Sequence, residues 1–193
     1  MISKKHSFDY TLDSQGVFRV LLDALANPGA LYSIAEQAAR FAGNGAWLAA
    51  AATLLDNEVT QYWNGAPDDG AEIGYITGSA PADIQSADFI LLPAPVDPSA
   101  LLPLVKTGTH TAPHTSGTVI AGSSGATGDE CELSGPGVPP EGRRAALTGY
   151  ERKWVQARDA LEREYPLGIE LIFLRADNDI TAITRKAAVK WLT

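Results

Sequence analysis

The apolar positions of the chain fall into short runs and helical stripes that alternate with turn residues. Residues 165–173 carry Pro166 and Gly168 at their start and continue as an apolar run, which is typical of a buried, central strand. A charged segment with apolar residues at helical spacing precedes this run, and residues 175–179 turn the chain into a second apolar run at 180–183. This order predicts a helix, a strand, a tight turn and a strand, with helices packed on one sheet.

The first half of the chain is expected to alternate between helices and strands. Asn27-Pro28-Gly29 ends a first helix that is preceded by the possible caps Asp13 and Ser14, and its buried face is predicted to carry Phe18, Leu21, Leu22 and Leu25. The further elements predicted here are an edge ribbon at 31–34, a helix at 46–55 capped by Asn44, strands at 59–63, 73–77 and 87–92, and a short helix at 99–105 after Pro98.

The second half of the chain is expected to contain a hairpin and a long helix. Residues 118–121 are predicted to pair with residues 131–134, with Gly122 to Gly128 as the tip. A helix over 147–164 is predicted, with one face formed by Tyr150, Trp154, Ala157 and Leu161. These elements predict an α/β fold in one domain, a three-layer αβα sandwich with a mixed sheet.

Composition and charge exclude several classes of protein. The formal charge of −8 and the pI near 4.8 argue against a general nucleic-acid or anionic-membrane binder, because those partners need a basic face. No apolar stretch approaches the roughly 20 residues that span a bilayer, and no signal segment is evident. Cys131 is the single cysteine and has no partner for an internal disulfide. A soluble, cytoplasmic protein is expected.

The sequence contains no self-sufficient catalytic constellation. His110 and His114 have the spacing of a metal pair, but Pro113 interrupts the helix that such a pair needs, so no metal site is expected. The glycine-rich run before Asp129 and Glu130 lacks the lysine of a phosphate loop. Cys131 is expected to be a buried, inert thiol. The basic pairs Arg143-Arg144 and Arg185-Lys186 are candidates for holding an anionic ligand or carboxylates of a partner.

Five short motifs, each weak by itself, together form an ordered set that resembles a known family. The chain resembles the PhnH family, the H subunit of the bacterial carbon-phosphorus lyase core complex. The matching motifs run from residue 18 to about 185 and comprise Phe18-Arg19-x-Leu21-Leu22-x-Ala24 with Asn27-Pro28-Gly29, Leu54-Leu55-Asp56-Asn57, Gly108-Thr109 with Pro113 and Gly117-Thr118-Val119-Ile120, Leu133-Ser134-Gly135-Pro136-Gly137-Val138, and Tyr165-Pro166-Leu167-Gly168-Ile169-Glu170-Leu171-Ile172.

The resemblance implies a role in the use of phosphonates. With partner subunits, the family supports transfer of ribose triphosphate from ATP onto an alkylphosphonate, which displaces adenine before a separate radical subunit breaks the carbon-phosphorus bond. The implied assembly is a homodimer or a two-fold complex with the G, I and J subunits. The implied fold is similar to the large domain of pyridoxal-phosphate transferases, but the family does not use that cofactor, and no cofactor is expected here.

The resemblance also gives candidate residues for binding a phosphonate or nucleotide ligand or a partner subunit. No catalytic residue is assigned, and the candidates are Arg19, Asp56, Gly108, Gly135, Gly137, Glu170 and Arg185. One departure concerns Thr184-Arg185-Lys186, where the family usually has Pro-Arg-Thr. The added charge of Lys186 would strengthen a contact of Arg185 with an anion, whereas loss of the proline would loosen it.

Two alternatives remain open at the level of sequence. The first is an enzyme acting alone on phosphorylated sugars or nucleotides, with Arg19, Arg143 or Arg185 holding phosphate and Asp56 or Glu170 as the base. The second is a diverged pyridoxal-phosphate enzyme that uses Lys106. Against both stand the resemblance and the absence of a catalytic triad, metal cluster or phosphate loop from the sequence. The prolines and glycines of the motifs are suited to shaping a backbone, which predicts a structural or substrate-organising role.

Overall fold

A computed structural model describes residues 6–124 and 128–192. The helices are α1 (Leu12–Ala26), α2 (Ala35–Ala38), α3 (Gly45–Leu54), α4 (Pro67–Thr77), α5 (Pro98–Leu101) and α6 (Gly149–Asp159), with 3-10 turns at Leu102–Leu104 and Pro113–Thr115. The strands are β1 (Tyr32–Ser33), β2 (Thr60–Trp63), β3 (Ala80–Pro81), β4 (Phe89–Leu92), β5 (Thr118–Ser123), β6 (Asp129–Ser134), β7 (Arg143–Leu147), β8 (Glu170–Arg175), β9 (Asp179–Ile183) and β10 (Ala188–Trp191).

The main sheet has seven strands in the order β1-β9-β8-β5-β4-β2-β3. Neighbouring strands pair in parallel along the series β3, β2, β4, β5 and β8. The strands β9 and β1 add an antiparallel edge. The predicted α/β class and mixed sheet are therefore confirmed. The predicted strand at 165–173 begins at Glu170 and lies inside the sheet between β5 and β9. The likeness to pyridoxal-phosphate transferases and the three-layer arrangement stay predictions.

Alternate residues of the main sheet belong to two different apolar clusters. Leu91, Ile120 and Ile172 face α1 to α4, which pack on one side of the sheet. Ile90, Val119 and Leu171 face the other side, where α5, α6 and a smaller sheet cover them. Strands that are apolar on both faces are typical of parallel sheets covered on both sides.

The smaller sheet has three strands in the order β10-β6-β7. The predicted hairpin between residues 118–121 and 131–134 is wrong, because β5 pairs in parallel with β4 and β8 while β6 pairs with β7 and β10. The physical reason is that Val119 and Ala121 on one face and Ile120 on the other all need cover, which a central position supplies. The predicted tip includes residues 125–127, which lie outside the described residues.

The predicted strand at 73–77 is also wrong, because these residues form the second half of α4. Pro67 occupies the first turn, where a missing N–H costs nothing, and Asp68 and Asp69 lie at the positive end of the helix dipole. Gly78 ends the helix in the left-handed region at φ +75°. The remaining predicted strands, at 59–63 and 87–92, are confirmed as β2 and β4.

The buried face of α1 differs from the predicted one. Val17, Leu21 and Ala24 are buried, whereas Phe18 and Leu22 are 52% and 53% exposed. The smaller residues of the 17-21-24 stripe let the helix lie close to the sheet and α3. The helix begins before Asp13, because the Asp9 carboxylate accepts hydrogen bonds from the backbone N–H of Thr11 and Leu12. These bonds lower the pKa of Asp9.

The α6 helix is shorter than the predicted 147–164. A capping box starts it, in which the Thr148 hydroxyl accepts from the Glu151 N–H and the Glu151 carboxylate accepts from the Thr148 N–H. The predicted face is confirmed within the helix, since Trp154 is fully buried and Ala157 is 9% exposed, whereas Leu161 lies beyond the end of the helix. Across the described residues, no helix combines the length and the hydropathy needed to cross a membrane.

Candidate functional site

Arg185 lies at the centre of a junction that joins several of the motif residues. It follows β9, and its Nε donates to Oε1 of Glu170, the first residue of β8. The backbone N–H of Arg185 donates to the other carboxylate oxygen, Oε2, at 2.9 Å. The two residues are therefore held together by an ion pair and by a backbone hydrogen bond, and both side chains are mostly buried.

The rest of the Arg185 guanidinium group is bonded to the protein as well. Nη1 donates to the Pro166 carbonyl at 3.1 Å and to the Pro113 carbonyl at 3.5 Å. Nη2 donates to the Ser116 hydroxyl at 2.9 Å. Arg185 thus ties the 113–116 turn and the loop before β8 to the end of β9, and an anion at this point would have to replace these partners.

The candidate glycines lie around this junction because they permit close approach of backbone. A Cβ on Gly137 would stand 2.3 Å from the Ala26 carbonyl oxygen, and one on Gly135 would stand 2.7 Å from the Lys186 carbonyl oxygen. Both residues also have positive φ, at +79° and +116°, which glycine adopts at little cost. Gly108 packs against Pro113 in the same way, with 2.8 Å from an added Cβ to the Pro113 oxygen.

The turn that carries Arg185 is held from its other side by Arg158 of α6. Its Nη1 donates to the Thr184 carbonyl at 2.7 Å and its Nη2 to the Ala187 carbonyl at 2.9 Å. The Lys186 ammonium, at the position where the family pattern has threonine, lies 4.3 Å from the centroid of the Tyr165 ring. The turn therefore keeps its backbone partners with Thr184 in place of proline, and Lys186 adds a cation–π contact.

A cleft of about 520 Å³ opens beside the junction. The end of α1, the 136–137 loop, Tyr165 and the 184–186 turn line it. Gly137, Glu170 and Arg185 are candidate residues in its wall. The cleft is thus built from motif residues that are far apart in the sequence.

The other two candidates, Arg19 and Asp56, make no contact with this junction in the described part of the chain. Arg19 lies on the exposed side of α1 and has no ion pair within the described residues. Asp56 is exposed after α3, where its carboxylate accepts from the Glu58 N–H at 2.8 Å. Arg143, by contrast, reaches the motif at the end of α1 and donates to the carbonyl and the side-chain oxygen of Asn27.

A second cleft, which sequence reasoning missed, lies at the carboxyl ends of β4, β5 and β8. Its volume is about 480 Å³, and its lining includes Trp47, Pro93, Ser123, Tyr150 and Arg175. A smaller cleft of about 210 Å³ shares Trp47 and Arg175 with it and extends to the start of α3. Crevices at the carboxyl ends of parallel strands are the usual ligand sites of open α/β sheets. We call the two together the carboxyl-edge cleft.

A buried ion pair supports the floor of the carboxyl-edge cleft. Arg175 donates from Nε and Nη2 to the two carboxylate oxygens of Glu151, at 2.9 and 2.8 Å. Nη2 also donates to the Ala146 carbonyl at 3.0 Å. The Thr148-x-x-Glu151 capping signature was present in the sequence and could have located this carboxylate, whereas no local signal distinguished Arg175 from an ordinary turn residue.

The structure also shows the surroundings of the remaining sequence candidates, which are two histidines, a lysine and a cysteine. His110 and His114 are exposed, and the described residues contain no group of three or more side chains suited to a metal ion. Lys106 donates to Asp88 Oδ1 and to the Ser86 carbonyl. Burial alone would raise the pKa of Asp88, but hydrogen bonds from Lys106 and Thr60 outweigh it and lower that pKa. Cys131 is fully buried, and burial together with the charge of Glu151 raises its thiol pKa to about 11.

Comparison with known proteins agrees with the motifs and their convergence. No curated protein matches the chain. The model of one family, described as bacterial phosphonate metabolism protein (PhnH), matches residues 6–190, which is nearly the whole chain. A match of this extent, together with the convergence of the motifs on Arg185, shows that the chain belongs to the PhnH family of bacterial phosphonate metabolism proteins.

Proposed function

We propose that this phosphonate metabolism protein is a subunit of a carbon-phosphorus lyase system in the cytoplasm. With G, I and J partner subunits it supports transfer of ribose triphosphate from ATP to an alkylphosphonate, giving ribose 1-alkylphosphonate 5-triphosphate. Its own part is structural or substrate-organising, without a complete active site. The family membership supports the metabolic role, and the chemistry of the Arg185 junction supports the division of labour.

The observation that carries the proposal is the engagement of Arg185. Its three guanidinium nitrogens all donate to protein acceptors, and the Glu170 carboxylate is occupied by Arg185 through both oxygens. The carboxylate and the guanidinium are thus directed at protein partners rather than at a substrate proton or a phosphate group. The family motif thus fixes the relative positions of four chain segments, which is the work of a scaffold.

An exposed apolar stripe on α1 supports contact with another protein subunit. Phe18 and Leu22 lie one turn apart on the same face of the helix and are 52% and 53% exposed, and Leu12 at its start and Leu31 after it are 69% and 50% exposed. Large apolar side chains grouped on one helix face are typical of protein interfaces. We infer that this stripe contacts a partner subunit or the second copy of a homodimer.

Co-expression tests the proposal directly. The tagged chain is produced with candidate G, I and J subunits from a phosphonate-using bacterium, and the mass of the purified assembly is measured under native conditions. A stoichiometric complex is the expected result. A chain that purifies without any of the three, while remaining folded by circular dichroism, would overturn the proposed subunit role. The same preparation with and without this chain then shows whether adenine release from ATP and methylphosphonate depends on it.

A further inference from the structure

The carboxyl-edge cleft presents hydrogen-bond donors that have no acceptors in the protein. Arg175 is 7% exposed, and its Nη1 makes no hydrogen bond within the described residues, although Nε and Nη2 both do. Nη1 is not sealed inside the protein and keeps contact with solvent. The Glu151 pair holds the guanidinium rigidly and leaves this nitrogen free at the cleft.

Trp47 provides a second donor of the same kind. Its side chain is nine-tenths buried and lines both parts of the carboxyl-edge cleft. Its ring packs against Trp63 at 5.8 Å between centroids, which fixes its orientation. The indole N–H has no acceptor within the described residues and, like Arg175 Nη1, keeps contact with solvent. An N–H that is fixed, accessible and unpaired is suited to binding a ligand oxygen.

The hydroxyl pair of Ser123 and Thr148 holds one proton that the bond between them does not use. Their hydroxyl oxygens are 3.0 Å apart, and the Thr148 hydroxyl already accepts from the Glu151 N–H. Each hydroxyl has one proton, and the bond between them uses one of the two. When Thr148 donates to Ser123, the Ser123 proton is left for a ligand in the cleft that Ser123 lines.

The charges and surfaces around these donors define the ligand. Arg175 is the charged side chain among the described residues of the lining, and the carboxylate that balances it, Glu151, is wholly buried behind it. The positive end of the α3 dipole lies at the same place, since Gly43 and Gly45 line the smaller part of the cleft, and the Asn44 side chain makes no capping bond to the helix but donates to Asp69 Oδ2. Pro93, Pro95 and Leu174 form an apolar wall.

We propose that the carboxyl-edge cleft binds a small organic ligand of the form R–PO₃, with its oxygens on Arg175, Trp47 and Ser123 and a compact apolar R group on the proline wall. Three donors from separate elements match the three oxygens of a tetrahedral phosphoryl group, whereas a planar carboxylate offers two. This inference rests on the proposed function in that an organophosphonate is the R–PO₃ compound such a subunit would organise. A phosphate monoester shares the chemistry.

Calorimetric titration of the full chain alone tests the site. Phenylphosphonate is expected to bind with Kd of about 1 mM or below, while benzoate binds at least about tenfold more weakly. Phenyl phosphate distinguishes the linkages: equal affinity assigns the site to the phosphoryl group whatever its linkage, and weaker binding assigns it to phosphonates. Absence of heat at about 10 mM phenylphosphonate, or benzoate binding equally well, would overturn the proposal.

Two variants locate the binding at these donors. Trp47→Phe keeps the apolar wall and removes the indole N–H, and Arg175→Lys keeps the charge beside Glu151 and removes Nη1; each is expected to weaken phenylphosphonate binding about tenfold or more. Trp191→Phe, in the smaller sheet, is the matched control and should bind as the unchanged chain does. Folded variants that all bind normally would place the ligand elsewhere. Because no partner subunit is present, failure here is separate from failure to co-purify a complex.

Discussion

Glu151 and Arg175 form a bidentate ion pair in the interior of the protein, with neither side chain more than 7% exposed. The same carboxylate accepts from the Thr148 N–H at 2.8 Å and so closes the capping box of α6. One side chain therefore joins the start of α6 to the end of β8.

Removing one partner of this pair is expected to be strongly destabilising. Glu151→Ala leaves the Arg175 guanidinium buried without its counter-charge, and we expect the free energy of unfolding to fall by about 3–5 kcal/mol. Urea denaturation followed by circular dichroism measures it. The double variant Glu151→Met with Arg175→Met removes both charges and should lose less. A loss below about 1 kcal/mol in the single variant would contradict the role given to the pair.

The exposed stripe on α1 predicts a variant that separates assembly from folding. Phe18→Asp places a charge on a side chain that is half exposed, so the stability should change by less than about 0.5 kcal/mol, while association with a partner or a second copy is weakened. Native mass measurement and thermal unfolding are compared. Val17→Asp, one position away and fully buried, is the contrasting variant and should prevent stable folding. If Phe18→Asp assembles normally, the stripe is not an interface.

The structure around Arg185 is expected to loosen locally when the guanidinium group is removed. Arg185→Ala removes the guanidinium partner of Glu170 Oε1 and of the Pro166 carbonyl and leaves only the backbone N–H of residue 185 on the Glu170 carboxylate, with an expected loss of about 2–3 kcal/mol in the free energy of unfolding. Faster amide exchange at Ser116 and Gly117 should accompany it, because Nη2 anchors that turn through the Ser116 hydroxyl. Arg19→Ala is a matched control on an exposed helix face, with an expected change within about 0.5 kcal/mol. Equal effects of the two substitutions would show that the junction is not a structural anchor.

Cys131 predicts a pH dependence of stability at high pH. Burial and the nearby Glu151 charge raise its pKa to about 11 from the usual value near 9, so the folded state holds the thiol proton more tightly than the unfolded state. This contribution is fully present below pH 9 and is lost as the pH rises toward 11. The unchanged chain should therefore lose more stability than Cys131→Ala between pH 9 and 11. Equal losses of stability in the two proteins would show that the thiol is not the cause.

The sequence predicts those elements whose periodicity matches their burial. The strands β4, β8 and β9 are apolar runs bounded by turn residues, β2 is predicted from alternation, and the face of α6 that carries Trp154 has a regular helical stripe. On α1 the same rule selected Phe18 and Leu22, because size and hydrophobicity alone favour them over Val17 and Ala24. A helix with apolar residues on two faces gives no local signal of which face meets the core.

Errors arise where the partner of a segment lies far away in the chain. A hairpin after β5 satisfied local turn chemistry, but two-sided burial placed β5 between β4 and β8. Among the candidate residues, the family motifs identified Glu170, Arg185 and the glycines that meet there. A family pattern holds information that a local stretch of sequence does not. Trp47 and Arg175 belong to no such pattern, and only the order of the strands brings them to one cleft.

The pairing of β1 with β9 has a consequence for how the protein reaches this fold. Tyr32 lies opposite Ile180, and Gly29 donates its N–H to the Ala182 carbonyl, so the first helix is seated by strands from the opposite half of the chain. Closing so large a loop is entropically costly and must precede these contacts. The pairing of β1 with β9 should therefore form late in refolding, and a partner present before that step would meet the exposed side of α1 before the subunit is complete.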